Sequence, residues 1–291
     1  IRRTTRSTLF PYTTLFRSGD FNNWQLTDQG YMKRTPDGKH YWVTITGLNP
    51  DTEYAFQNYI DGELKLADPY SEKILDPWND QYIPAYNYPN LKQYPKGKTI
   101  GVVSVLQINQ PQYNWQVTNF VPQALGTTQP NLIIYEMLFR DFTYDQTFNA
   151  AIEKLDYLKN LGINAIEVMP VQEFEGNNSW GYNPNFYFAV DKYYGPRNNF
   201  KKFVDECHLR GIAVIVDVVY NHAFGTCPLV QMYWDKQNNK PASNNAWLNA
   251  VATHPYSPGY DFNHESLNTK KYFKRALQYW LEEYKVDGFR F

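Results

Sequence analysis

Two rhythms of apolar and polar positions divide this chain. Between residues 19 and about 108 the apolar positions tend to alternate with polar ones, the period-2 signature of half-buried strands. Trp42-Val43-Thr44-Ile45 alternates and then breaks at Gly47-Leu48-Asn49-Pro50. Glu53 to Ile60 alternates again and runs into Asp61-Gly62, a hairpin signal. A third run, Ile100 to Ile108, completes a predicted sheet. Beyond residue 131 the rhythm changes. Leu132 to Met137 is a short apolar run, broken only by Glu136, of the kind buried on both faces of a parallel sheet. Ala151, Leu155, Leu158 and Leu161 then mark one helical face that stops at Gly162. Ile163 to Val171 predicts a second strand, and a helix through Phe200, Phe203, Val204 and Cys207 stops at Gly211. Ile212 to Val219 predicts a third strand. Phe273, Ala276, Leu277, Trp280 and Leu281 are spaced i, i+3, i+4, i+7, i+8 on a last helix, which leads into Val286–Phe291.

These elements predict an α/β chain in two parts. Residues 19–109 suit an immunoglobulin-like β-sandwich short of its first strand. Residues 110–130 hold three Pro and many polar positions, and predict a linker. Residues 131–291 contain four strand-and-helix steps feeding parallel strands, the N-terminal half of a (β/α)8 barrel, with an insertion at 223–267 after the third strand. Residues 1–18 read differently. Thr-Leu-Phe and Arg-Ser each occur twice, with four Arg and no acid, so this stretch is set aside as a non-native tail.

Composition narrows the classes. A net charge of −1 offers no basic field, which argues against nucleic acid or an anionic membrane as partner. No apolar run approaches the roughly 20 residues of a membrane helix, so membrane insertion is not expected. Two cysteines, Cys207 and Cys227, set up no disulfide framework and leave the compartment open, secreted or periplasmic included. Aromatics make up 18% of the residues. Most such rings pack cores, yet a flat ring with polar edges also suits a sugar face.

Candidate chemistry gathers at predicted strand ends. Asp217-Val218-Val219-Tyr220-Asn221-His222 closes the third strand, and an acid, an amide and an imidazole emerging together from an apolar strand are costly unless paired or used. Trp180-Gly181-Tyr182-Asn183-Pro184 follows the second strand, which itself carries Val168-Met169-Pro170-Val171. Gly288-Phe289-Arg290-Phe291 closes the fourth. Other partial motifs fail. His264-Glu265 lacks the second histidine of a zinc helix, Gly97-Lys98-Thr99 lacks its upstream Gly, and the cysteines lack metal spacing.

In this order, the four blocks resemble those of the α-amylase superfamily, glycoside hydrolase family thirteen, over roughly residues 131–291. The upstream Gly19-Asp20-Phe21-Asn22-Asn23-Trp24, with Asp37-Gly38 and Asp61-Gly62, resembles carbohydrate-binding-module family forty-eight. The resemblance implies that Asp217 holds Arg290, that Arg290 orients the nucleophile, and that His222 donates a hydrogen bond to the sugar being cleaved. Tyr182 would stack beneath that sugar, with Trp180 beside it, and Trp24 and Trp42 are candidate stacking rings on the upstream module. Asn221 is a calcium ligand in many α-amylases, and calcium is the one cofactor the resemblance suggests.

A retaining glycosidase needs a nucleophile and a general acid about 5–5.5 Å apart. The family places its nucleophile just after the residue matching Phe291. The expectation is therefore an α-1,4-glucan hydrolase of starch or glycogen type whose present 291 residues are inactive alone. The alternatives are a type I pullulanase-like debranching enzyme and a glucan-binding protein with a vestigial barrel. In the insertion, Trp234, Trp247, Tyr256 and Tyr260 suggest the wall of a glucan groove.

Overall fold

A computed structural model describes residues 14–122 and 131–291. The predicted tail and linker therefore lie partly outside the described residues, at 1–13 and 123–130.

The N-terminal part is built on a five-stranded antiparallel sheet. Its centre is Tyr54–Ile60, flanked by Leu15–Gly19, Leu64–Leu66 and Val103–Leu106, with Ile74–Leu75 on the far side of the last. The hairpin at Asp61-Gly62 forms as expected, with φ of +47° and +76° at the two turn residues. The boundary drawn on composition after residue 18 falls inside the first strand. Leu15 to Gly19 pair in register with Ile60 to Phe56, and Leu15 is buried. The run expected from Trp42 to Ile45 keeps only Tyr41–Trp42 as strand, paired with Lys33–Arg34 in a separate ribbon.

In the C-terminal part four parallel strands pair in chain order: Ile134–Met137, Ala165–Val168, Ala213–Asp217 and Gly288–Arg290. These are the first to fourth strands below. Each is shorter than its apolar run, because the flanking residues turn away into loops and helices. Met137, Ile166, Val168, Val214 and Val216 are buried, in one core with Phe200, Phe203, Val204 and Cys207 of the helix Arg197–Leu209 and with Phe273, Ala276 and Trp280 of the helix Leu267–Glu283. Gly162 and Gly211 take φ of +85° and +73°, as predicted for residues that stop helices. The first helical stretch is broken in two, Phe148–Ile152 and Leu155–Asn160, and Leu161 is exposed rather than on the packed face.

The other face of the parallel sheet is open. Ile134 on that face is 46% exposed, and the first and fourth strands each pair with a single neighbour among the described residues. Apolar edges of this kind pair with other chains. The 291-residue polypeptide by itself is therefore expected to self-associate, and light scattering should show less association for Ile134→Lys.

The two parts are fastened together. Tyr113 Oη and the backbone N–H groups of Gln116 and Val117 donate to the buried Asp205 carboxylate at 2.9 Å each, and Phe120 stacks on His208 at 4.0 Å. The described portion of the predicted linker is thus strapped along the Arg197–Leu209 helix. A second fastening is a buried charge cluster. Lys192 Nζ bonds Glu173 and lies 3.3 Å from Asp80 Oδ1, with Asp191 alongside.

Candidate active site

The second-strand motif positions the site loop. After Val168 the chain passes through Pro170 into Gln172–Phe174, which pairs with the fully buried strand Pro184–Val190. Between them lies the loop carrying Trp180 to Asn183. Gly181 sits there at φ +90°, where an added Cβ would fall 2.3 Å from the Pro170 carbonyl oxygen and 2.7 Å from its Cβ. Only glycine fits that approach, so the two sequence blocks are halves of one contact. Gly181 N–H donates to Ser179 Oγ at 2.9 Å, and Asn183 Nδ2 donates to the Glu175 carbonyl at 2.7 Å. Gly181→Ala is expected to displace this loop and lower thermal stability.

Asp217 ends the third strand and Arg290 the fourth, and the two are register partners. The Arg290 guanidinium donates through Nη1 to Asp217 Oδ2, forming the expected charge-assisted pair. Tyr182 Oη donates to the same carboxylate oxygen at 2.5 Å and accepts from Arg290 Nη1 at 3.2 Å. Asp217 is 1% exposed, while the arginine side chain is half exposed. Asp217 therefore anchors the arginine from below and leaves the rest of it presented to the open face. Burial, and then the bond to Asp217, push the Tyr182 phenol up to about 12, so it remains a donor across the working pH range. The Asp217 charge raises Arg290 above its ordinary value.

His222 is buried and joins the cluster from the other side. Its Nε2 lies 2.8 Å from the Tyr182 carbonyl, which can only accept, so Nε2 carries the proton. Burial lowers its pKa and favours the neutral ring. In this geometry the ring pins the Tyr182 backbone, and its Nδ1 is buried without a hydrogen-bond partner. Trp180 stands 59% exposed at the rim of the same loop. Asn221 is exposed, and its carbonyl accepts from the Phe262 N–H at 2.9 Å. Among the described residues no group of three or more His, Cys, Asp or Glu side chains is arranged to hold a metal ion.

The insertion differs from its expected role. Trp247 is 1% exposed and belongs to the core, where Thr269 Oγ1 donates to its carbonyl at 2.9 Å. Trp234 and Tyr260 pack edge-to-face, and only Tyr256, 80% exposed, stands free of the core. Asp261 pairs with His222 across a short antiparallel bridge, and its carboxylate accepts from Asn249 Nδ2 at 2.7 Å. A separate cleft on the N-terminal sheet is lined by Trp24, Gln57, Tyr59, Lys65, Lys98 and Thr99. Trp42 lies outside that lining, on the ribbon beneath Lys33 at 5.4 Å.

Sequence reasoning overlooked Glu167 and the cluster around Lys192. Each had a signal: a charged residue inside an apolar strand run, Ala-Ile-Glu-Val, and a Lys directly after Asp191 at the end of Pro184–Val190.

Fold and site define an α/β domain whose parallel strands present a Tyr–Asp–Arg cluster at their carboxyl ends. Residues 133–256 match the family model described as the alpha amylase catalytic domain. Over 267 residues the chain is 34% identical to malto-oligosyltrehalose trehalohydrolase of Saccharolobus solfataricus, covering 91% of this chain and 40% of that protein. It is 29% identical to isoamylase SU1 of Zea mays, covering 95% of this chain and 38% of that one. The solved product complex of the glycogen-degrading pneumococcal virulence factor SpuA shares the fold, with a TM-score of 0.72 at 24% identity, over 98% of this chain and 32% of that chain. The family model and these relatives together support an alpha-amylase catalytic domain in the second part of the chain. The chain spans about two fifths of the length of either curated relative.

Proposed function

We propose that these residues belong to a retaining glycoside hydrolase acting on α-1,4-glucans of the starch or glycogen type. The observation that carries this reading is the Asp217–Arg290–Tyr182 cluster at the strand ends, inside a segment that matches the alpha amylase catalytic domain. On this reading the four parallel strands are the first half of a (β/α)8 barrel, and the N-terminal sheet is an immunoglobulin-like module. Active sites of such barrels form at the carboxyl ends of the strands, where the cluster lies.

Asp217 holds Arg290 by charge and position, and Arg290 directs its remaining N–H groups at the nucleophilic carboxylate, which the resemblance assigns to the residue after Phe291. A rigid arginine there keeps that carboxylate ionised and aimed, as covalent attack requires. The Tyr182 ring, with Trp180 at the rim, supplies the face for the sugar, where its negative π-cloud stabilises the developing oxocarbenium charge. His222 keeps the Tyr182 backbone in place.

The test is product analysis of the full-length protein on amylose, pullulan and malto-oligosyltrehalose. Cleavage of amylose supports the leading reading. Cleavage confined to pullulan favours a debranching enzyme, and cleavage confined to the trehalose-ended oligosaccharide favours the trehalohydrolase relatives. Inertness toward all three would sink the hydrolase reading.

The cleft at Trp24 favours a second role, glucan binding by the N-terminal module. It combines an aromatic wall with amide, hydroxyl and ammonium groups, the mixture that binds sugars. Trp24→Ala is expected to weaken retention on glycogen by about tenfold, the scale of one lost ring–sugar stack of about 1.4 kcal/mol, without altering turnover of short soluble oligosaccharides. Affinity electrophoresis in glycogen gels measures it, and unchanged mobility would exclude the cleft.

A further inference from the structure

Arg290 has a second carboxylate within reach, on the second strand immediately ahead of the Val168–Val171 block. Glu167 lies on the second strand, in register with Glu136 on the first and Ile215 on the third, and Ile215 in turn faces Gly288 on the fourth. Residues two apart on a strand share a face. Glu136, Glu167, Ile215 and Gly288 therefore form one row across the open side of the sheet, and Asp217 and Arg290 form the next row on that same side. The arginine reaches back over the third strand. Its Nε lies 3.9 Å from Glu167 Oε1, while Nη1 takes Asp217 and Tyr182.

We propose that Glu167 is a positioning residue for Arg290, setting the plane of its guanidinium by drawing the Nε edge toward the second strand. The inference rests on the glycoside hydrolase reading and deepens it. Both Asp217 and Tyr182 act on a single terminal nitrogen, and one attachment point leaves a planar group free to swing about it. A second charge on the opposite edge removes that freedom, which is how a guanidinium fork acquires direction. At 3.9 Å the interaction is an ion pair rather than a direct hydrogen bond, so it depends on the charge of Glu167 more than on its hydrogen-bonding shape.

Glu167 is suited to this role because it is mostly covered, at 19% side-chain exposure, and faces few cations. Four titratable groups surround it across the three neighbouring elements and the site loop: Glu136, Asp217, Arg290 and Tyr182 at the Asp217 carboxylate. Burial, with Asp217 and Glu136, raises its pKa above the ordinary glutamate range, against the opposing pull of Arg290. The carboxylate needed to hold Arg290 is thus present above that raised value and is lost as pH falls through it.

The experiment compares the full-length protein with Glu167→Gln and Glu167→Asp on whichever α-glucan the wild type cleaves, with kcat, KM and the acid limb of the kcat–pH profile as readouts. Glu167→Gln keeps size and removes charge. The expected result is a kcat lower by about three- to thirtyfold, the cost of a slightly misdirected arginine, with KM within about twofold. The acid limb should move to lower pH, since one group that must be ionised has gone. Glu167→Asp should restore part of kcat and keep the limb. Equal kcat and an unmoved acid limb in Glu167→Gln would overturn the proposal, as would a fall in thermal stability with kcat unchanged, which marks a structural role only. A wild type that cleaves no α-glucan would instead overturn the hydrolase reading beneath it.

Discussion

Glucan hydrolysis by the full-length protein is expected to fall by about 10²-fold or more in Asp217→Asn, with KM changing far less, because misplacement of a positioning group costs on that scale. The amide keeps the shape of the carboxylate but not its charge, and three features of the site then fail together. Arg290 loses the partner that raises it above its ordinary pKa, and Tyr182 loses a charged acceptor at 2.5 Å. One face of the amide also presents N–H to Arg290 Nη1, a donor facing a donor. Because Asp217 is 1% exposed, water does not replace the lost charge. Arg290→Lys should cost a similar factor, since a single ammonium cannot engage both Asp217 and a nucleophile with the geometry of a planar fork. Steady-state kinetics beside circular dichroism separates this loss from unfolding. Near wild-type turnover in either folded variant would remove the cluster from the mechanism.

The largest stability effect is expected at Lys192, where Lys192→Met should cost about 3–5 kcal/mol, the scale for removing one partner from a buried ionic group. Lys192 is 3% exposed, Glu173 5% and Asp191 2%, and Asp80 reaches in from the N-terminal part. Methionine fills the space of the lysine stem and leaves three carboxylates without their cation. The pH dependence has a definite sign. Burial pushes Asp191 up to about 7 and raises Glu173 and Asp80 as well, so the native state binds more protons than the unfolded chain through the mildly acid range. Their contribution is favourable at low pH and is lost as pH rises through about 7. Lys192, raised by the same carboxylates, stays charged and offsets that loss throughout. Without it, protonation is the remaining way to neutralise the acids, so the gap between wild type and Lys192→Met should widen from pH 5 to pH 8. Urea midpoints at the two values measure the gap. A gap that narrows with rising pH would contradict this account of the cluster.

Much of the fold was legible because its elements carry local signals. Largely apolar runs marked the first three parallel strands, and 3.6-residue spacing with Gly162 and Gly211 marked where helices end. The pairing of Asp217 with Arg290 was also legible, through the resemblance of the blocks that carry them, and the two stand at neighbouring strand ends on one rim. Composition misled at the start of the chain. Leu15–Gly19 is an edge strand despite a repetitive, basic neighbourhood, because pairing with Ile60–Phe56 buries Leu15 whatever precedes it. Aromatic content misled in the insertion, where Trp247 is core, since a ring's amphipathic character does not reveal which surface it meets.

What the chain by itself determined, then, is periodicity, the turn and cap glycines, and which polar groups stand at strand ends, all properties of residues within a few positions of one another. The tertiary structure alone decided the rest. It folded Gly181 onto Pro170, turned the Nε2–H of His222 to the Tyr182 carbonyl, brought Asp80 to Lys192 and set Glu167 within reach of Arg290. Each of these joins groups on different elements, and such a contact depends on how strands register and where loops close. Register and loop closure are set by burial summed over the whole core, and no local pattern encodes that sum.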